Sequence, residues 1–191
     1  MLEKDLSKLS VGTQIWATYK SAFTRMEVLP KTVLLKEGDI AHQLFLIEKG
    51  CLRAWHNHDG KDVTGQFFFE NESVSSIESL RKDIPSQITI ESIEPSVLWW
   101  IDKQNLNRII EEIKEIPKQR DMLFDAVFER TFDYIKSFST FIRDSPQQRY
   151  LNLMKDRPQV VQRVPQHYIA SYLGISTVHL SRIKNKLARN K

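Results

Sequence analysis

Two groups of residues in this 191-residue chain have the types and spacing for specific chemistry. The first surrounds Arg182: Ser176, Thr177, Val178, His179 and Ser181 precede it, and Lys184, Lys186 and Arg189 follow. An arginine fork matches guanine O6 and N7, and the methyls of threonine and valine can meet a thymine methyl. The lysines and Arg189 suit phosphates. The second group is His56 and His58, which alternate onto one face of a strand and so can address one metal. The remaining serines and histidines form no nucleophile–base pattern, so no catalytic residues are assigned and no enzyme is expected. The single cysteine, Cys51, excludes an internal disulfide and cannot alone hold zinc or an iron–sulfur cluster. It lies in an alternating apolar run and is expected to be a small buried residue.

The Arg182 group needs a helix to present it, and the stretch from Val164 to Lys191 supplies two. Ile169, Ala170 and Leu173 share one face of the first, and Leu180, Ile183 and Leu187 share one face of the second. Gly174 provides the left-handed backbone of a sharp turn, and Ser176 is placed to cap the second helix. This is helix-turn-helix spacing, in which the second helix enters the major groove of DNA. Its outward residues are then Thr177, Val178, Ser181, Arg182 and Lys184. A helical hairpin with a merely solvated basic face is the alternative. Charge favours DNA: residues 143–191 hold ten Lys/Arg against two Asp, a net of +8, whereas residues 1–142 carry −4.

Hydrophobic content of 41% and charged content of 27% suit a globular protein with one large or two small domains. The start, MLEKDLSKLS, is too charged for a signal peptide, and no apolar run reaches membrane-spanning length. The expectation is a cytoplasmic protein without a membrane partner.

Residues 5–24 carry Leu6, Leu9, Ile15, Trp16, Tyr19 and Phe23 at helical spacing. Seven strand-like runs follow: Met26–Leu29, Thr32–Leu35, Leu44–Ile47, Cys51–His56, Val63–Phe69, Ile88–Ile93 and Val97–Ile101. Gly and Pro turns separate them, and Asp59-Gly60 is the strongest hairpin signal. Such a series implies an antiparallel sandwich or barrel. The helical period returns with Leu106, Ile109, Ile110 and Ile113. After Pro117 one long helix, about Lys118 to Phe141, carries Phe124, Phe128, Thr131, Ile135, Phe138 and Ile142 at spacings of three and four. An aromatic stripe of this kind is costly on a lone surface helix and becomes a seam against a symmetry mate. The alternative is packing on the chain's own barrel. Asp144-Ser145-Pro146 breaks the helix and starts another.

Strand roll, long helix and basic helix-turn-helix together resemble the Crp/Fnr family of bacterial transcription regulators, over nearly the whole chain. The carriers are Leu35-Lys36-Glu37-Gly38-Asp39, Leu44-Phe45-Leu46-Ile47-Glu48-Lys49-Gly50, Ile169-Ala170-Ser171-Tyr172-Leu173-Gly174-Ile175-Ser176 and Leu180-Ser181-Arg182-Ile183. Arg149-Tyr150-Leu151 and Arg163-Val164-Pro165 resemble the Bacteroidetes-type branch. The resemblance implies an α+β fold: a sensor β-roll of the double-stranded β-helix or jelly-roll type with N-terminal helices (1–116), a long dimerisation helix (117–142) and a helix-turn-helix domain (143–191). It implies a homodimer on a palindromic operator in double-stranded DNA, with RNA polymerase as a further partner.

The chain departs from that family in three places. Family members that bind cyclic AMP use a Gly-Glu pair and an Arg-Ser pair around the phosphate; here Ser75-Ser76 and Ser86-Gln87 stand instead. The charged phosphate partner is missing, which argues against cyclic AMP and leaves the effector unknown. Any ligand would be lined by Ser75, Ser76, Glu78, Ser79, Ser86 and Gln87, although the cassette could equally serve the fold alone. The chain ends straight after the recognition helix, so the family's C-terminal wing is expected to be absent. The family's Arg-Glu pair at the helix start is Thr177-Val178, so only Arg182 carries over cleanly.

Two rivals remain. Gly50-x5-His56-x-His58-x3-Asp62 partly resembles the first metal motif of cupins, which implies a metal-dependent enzyme, but no second motif follows. The other rival is a sensor whose helix-turn-helix binds protein rather than DNA.

Overall fold

The computed structural model describes residues 13–189, so Leu6 and Leu9 of the expected first helix lie outside the described residues. Helix α1 (Thr13–Tyr19) and a 3-10 turn at Lys20–Ala22 lead into β1 (Thr24–Val28). The strands β2 (Val33–Leu35), β3 (Gln43–Lys49), β4 (Leu52–His58), β5 (Lys61–Phe68) and β6 (Ser73–Val74) precede a short helix, α2 (Ile77–Lys82). Strands β7 (Thr89–Ser92) and β8 (Ser96–Asp102) complete the roll. The helices that follow are α3 (Lys103–Lys114), α4 (Pro117–Arg143), α5 (Pro146–Asp156), α6 (Pro158–Arg163), α7 (Gln166–Tyr172) and α8 (Thr177–Arg189).

All strand pairings are antiparallel and form two four-stranded sheets, ordered β1-β8-β3-β6 and β2-β7-β4-β5. Alternation explains their packing. Phe45, Ile47, Leu52, Ala54, Phe68, Val74, Ile90 and Leu98 meet between the sheets as one apolar core. The β4–β5 hairpin closes at the His58–Lys61 pair, and Asp59 and Gly60 both have positive φ, as a two-residue type I′ turn requires. Outside the first sheet, Ile15 of α1 packs with Ile101, Ile109 and Ile113, burying the apolar stripe of α3.

A third apolar cluster crosses between the roll and the helical end. Cys51, Phe67 and Phe69 of the roll lie in one buried group with Tyr150, Leu153, Val160, Val164, Ile169, Leu173, Leu180 and Ile183. The helical end is therefore seated on the second sheet. Burial pushes the Cys51 thiol up to about 12, so it is protonated at neutral pH and poorly suited to redox sensing.

Candidate nucleic-acid interface

Helix α8 follows the turn that its sequence requires. Gly174 has φ +66°, and the Ser176 hydroxyl accepts a hydrogen bond from the His179 N–H at 3.2 Å, capping the helix. Leu180 and Ile183 are buried, and Leu187 packs at the edge of the same cluster. Ala170 of α7 is also buried, small enough for the helices to cross closely. With that face inward, the helix exposes Thr177, Val178, His179, Ser181, Arg182, Lys186 and Arg189, with Lys184 half-buried. Val178 is 59% exposed, an apolar side chain left in solvent on an otherwise polar face. Helices α7 and α8 contain no acidic residue. Among the described residues, Arg182, Lys184, Lys186 and Arg189 form no ion pair. The face therefore presents cations that nothing among the described residues neutralises, as phosphate contact requires.

The other basic residues of this end behave differently. Arg143 pairs with Asp144, and Arg149 donates to the Phe141 carbonyl at 2.8 Å while stacking on its ring. Arg157 donates to the Phe67 carbonyl at 2.9 Å, and Arg163 pairs with Glu70 and Glu94. Four of the ten positive residues counted in the sequence are thus committed inside the chain. Ion pairs offset Arg143, Arg157 and Arg163, and α8 carries the largest group of cations unpaired among the described residues.

The long helix α4 starts with Pro117 at its first turn and buries none of its residues fully. At 27 residues it spans about 40 Å. Phe124, Phe128, Thr131, Ile135, Phe138 and Ile142 run along one side, with Phe138 68% and Ile142 69% exposed. Phe128 stacks on Phe132, which widens the stripe. The stripe is exposed, and α4 meets the rest of the described chain on an adjacent side, where Leu123 packs with the α3 cluster and Arg130 donates to the Ser73 carbonyl at 3.1 Å.

The residues expected to line a ligand pocket gather around α2, and three of them, Ser75, Ser79 and Ser86, have hydroxyls engaged with the backbone of the fold. Buried Ser79 accepts from the Ala41 N–H at 2.9 Å and donates to the Ile84 carbonyl. Buried Ser86 donates to the Ile88 carbonyl at 2.7 Å, and Ser75 to the Gln43 carbonyl at 2.7 Å. Glu78 points outward to Lys82 at 2.7 Å, Gln87 is exposed, and Ser76 makes no side-chain cap bond. Helix α2 has only six residues. The cassette therefore holds its own loops together, and its residues do not fit a cyclic nucleotide phosphate, which needs free donors and a facing cation.

His56 and His58 both lie on β4 and are exposed. Asp62, the acidic residue spaced to join them, is instead bound by Arg53 at 2.6 Å. No group of three or more His, Cys, Asp or Glu among the described residues is arranged to hold a metal ion. No helix among them is long and apolar enough to cross a membrane.

Several site features had no sequence signal. Arg53 is buried at 2% exposure with Glu91, Asp62 and Thr64 around its guanidinium, and Tyr168 of α7 lies 3.7 Å away, ring centroid to guanidinium. Ser171 and Arg163 also join the helical end to the roll, across separations of more than sixty residues.

Residues 25–113 match the family model for the cyclic nucleotide-binding domain. No curated protein sequence matches the chain. Among solved structures, the chain is similar to the c-di-GMP responsive global regulator CLP of Xanthomonas campestris. That match has a TM-score of 0.73 at 15% identity and covers 93% of this chain and 92% of that one. FixK2 from Bradyrhizobium japonicum gives 0.68 at 14% identity, covering 88% and 85%. The catabolite activator protein of Thermus thermophilus gives 0.53 at 18%, covering 93% and 84%. At these identities the likeness is one of fold, and it extends from the roll through the long helix to the helix-turn-helix. Residues 25–113 are therefore similar to the cyclic nucleotide-binding domain, and the chain as a whole shares the fold of these three regulators.

Proposed function

We propose that this chain is a sequence-specific DNA-binding transcription regulator that acts as a homodimer on a palindromic operator. The observation that carries the reading is the face of α8: cations without ion-pair partners among the described residues on a capped helix, with Val178 and Thr177 exposed beside them. In this reading Arg182, Thr177 and His179 contact base edges, and Lys184, Lys186 and Arg189 contact the backbone. The α4 stripes of two copies form the dimer seam. The roll sets the angle of the paired long helices, which decides whether the two α8 helices stand about 34 Å apart, one turn of DNA. RNA polymerase is a further proposed partner. The sensor role is proposed without cyclic AMP, because the serines around α2 are bound to backbone groups.

Enrichment of binding duplexes from a random-sequence pool tests this reading. The parent is expected to enrich a two-fold symmetric sequence. Arg182→Ala should cost about 1–3 kcal/mol on that sequence and relax the choice at one base pair. Equal affinity and selectivity in the variant would contradict the assignment.

A further inference from the structure

Strand β5 is the outer strand of the second sheet, so one row of its backbone groups has no strand partner among the described residues. The helical end covers that row. The Ser171 hydroxyl, on the first helix of the helix-turn-helix, accepts from the Thr64 N–H at 2.9 Å and donates to the Asp62 carbonyl at 3.0 Å. It fills the place of a neighbouring strand. Further along the edge, past the irregular register between Ala54 and Trp55, Arg157 donates to the Phe67 carbonyl at 2.9 Å. Arg163 then closes the far corner. Its two terminal nitrogens bind both Glu70 oxygens, at 2.8 and 2.7 Å, and it also pairs with Glu94. Glu70 in turn accepts from the Gly50 N–H at 2.8 Å, which ties the clamp to the β3–β4 turn. Behind the edge, Tyr168 covers the Arg53 guanidinium and Tyr172 packs on Phe67.

The long helix holds the same domain far less firmly. It reaches it through its last turns, where Phe141 lies against Gly174 and Arg149, and through a Lys136–Asp156 pair at 3.9 Å. A cleft of about 450 Å³ lies between α4, β5 and helix α5.

We infer that Arg163 and Ser171 are positioning residues for DNA binding: they latch the helix-turn-helix to the edge of its own roll and thereby fix where the recognition helix stands. The latch leaves the α8 face exposed, so the docked arrangement presents it to DNA. In a dimer it converts the geometry of two rolls into the geometry of two recognition helices. Binding at one half-site then raises the effective concentration of the second helix at the other, an advantage that depends on a fixed span. This inference rests on the DNA-binding reading, but its structural half can be measured without DNA.

The test compares the parent with Arg163→Ala, Arg163→Lys and Ser171→Ala. The first readout is amide hydrogen exchange at Thr64, followed by NMR in the full-length protein. Arg163 does not touch Thr64, so faster exchange there in Arg163→Ala reports opening of the whole edge. Arg163→Lys, which retains a cation, should recover part of the protection. The second readout is affinity for the enriched symmetric duplex and for a duplex with one half-site. The expected result for Arg163→Ala and Ser171→Ala is about a tenfold loss on the symmetric duplex with half-site affinity retained. Parental protection at Thr64 in Arg163→Ala would overturn the latch, as would equal losses on both duplexes. If the parent binds no duplex, the DNA-binding reading fails, and the exchange result still decides whether the latch exists.

Discussion

Glu70 accepts hydrogen bonds from Arg163 and from the Gly50 N–H, and its titration follows from both. Burial is the largest single influence and raises its pKa. Arg163 and the backbone donors together outweigh it, so the carboxyl titrates below the usual glutamate range. Asp62 is also held low, first by its hydrogen bond from Arg53. A carboxylate depressed in the folded state contributes stability above its unfolded pKa and loses that contribution as the pH falls through its folded value. The thermal midpoint should therefore fall as the pH drops below about 4, the ordinary carboxylate range. Glu70→Gln should lower the midpoint at neutral pH and flatten part of this acid limb. A variant whose midpoint tracks the parent at every pH would show that the Arg163 clamp contributes nothing to stability.

Among the elements, α4 carries the most exposed apolar surface. Phe124, Phe128, Ile135, Phe138 and Ile142 are each more than half exposed, which is costly on a helix left in water. With Thr131 between Phe128 and Ile135, the spacing alternates between four and three and matches a two-helix seam. Phe138→Asp should give a monomer by sedimentation equilibrium while leaving the chain folded, because Phe138 packs in none of its buried clusters. A dimer of parental affinity would place the seam elsewhere. Elements of this kind were legible in the sequence because their signals are local. The period of α8, the stripe of α4 and the Asp59-Gly60 turn each occupy a short contiguous window. Strand β6, with two residues, and helices α2 and α6, with six each, are too short for a period to register. The family resemblance makes Ser79 and Ser86 candidate ligand donors, and that their hydroxyls bind nearby backbone groups is a matter of side-chain direction that no residue pattern encodes. Contacts such as Ser171 with Thr64 join residues 107 apart and appear only once the sheet order leaves β5 at the edge.

At the scale of the molecule, charge is divided by task. Arg143, Arg149, Arg157 and Arg163 bind groups within the chain, and Arg182, Lys184, Lys186 and Arg189 lie on α8 without internal partners among the described residues. The first set assembles the molecule and the second faces outward. If the second set meets DNA, each phosphate it neutralises releases condensed counterions, and affinity falls with salt accordingly. Lys184, Lys186 and Arg189 from two subunits would give a slope of about −5 in log affinity against log salt concentration. The most direct measurement is therefore the salt dependence of binding to the enriched symmetric duplex. A steep negative slope that becomes shallower in Lys186→Ala is the predicted result. Failure to enrich any duplex, or binding that salt leaves unchanged, would contradict the account.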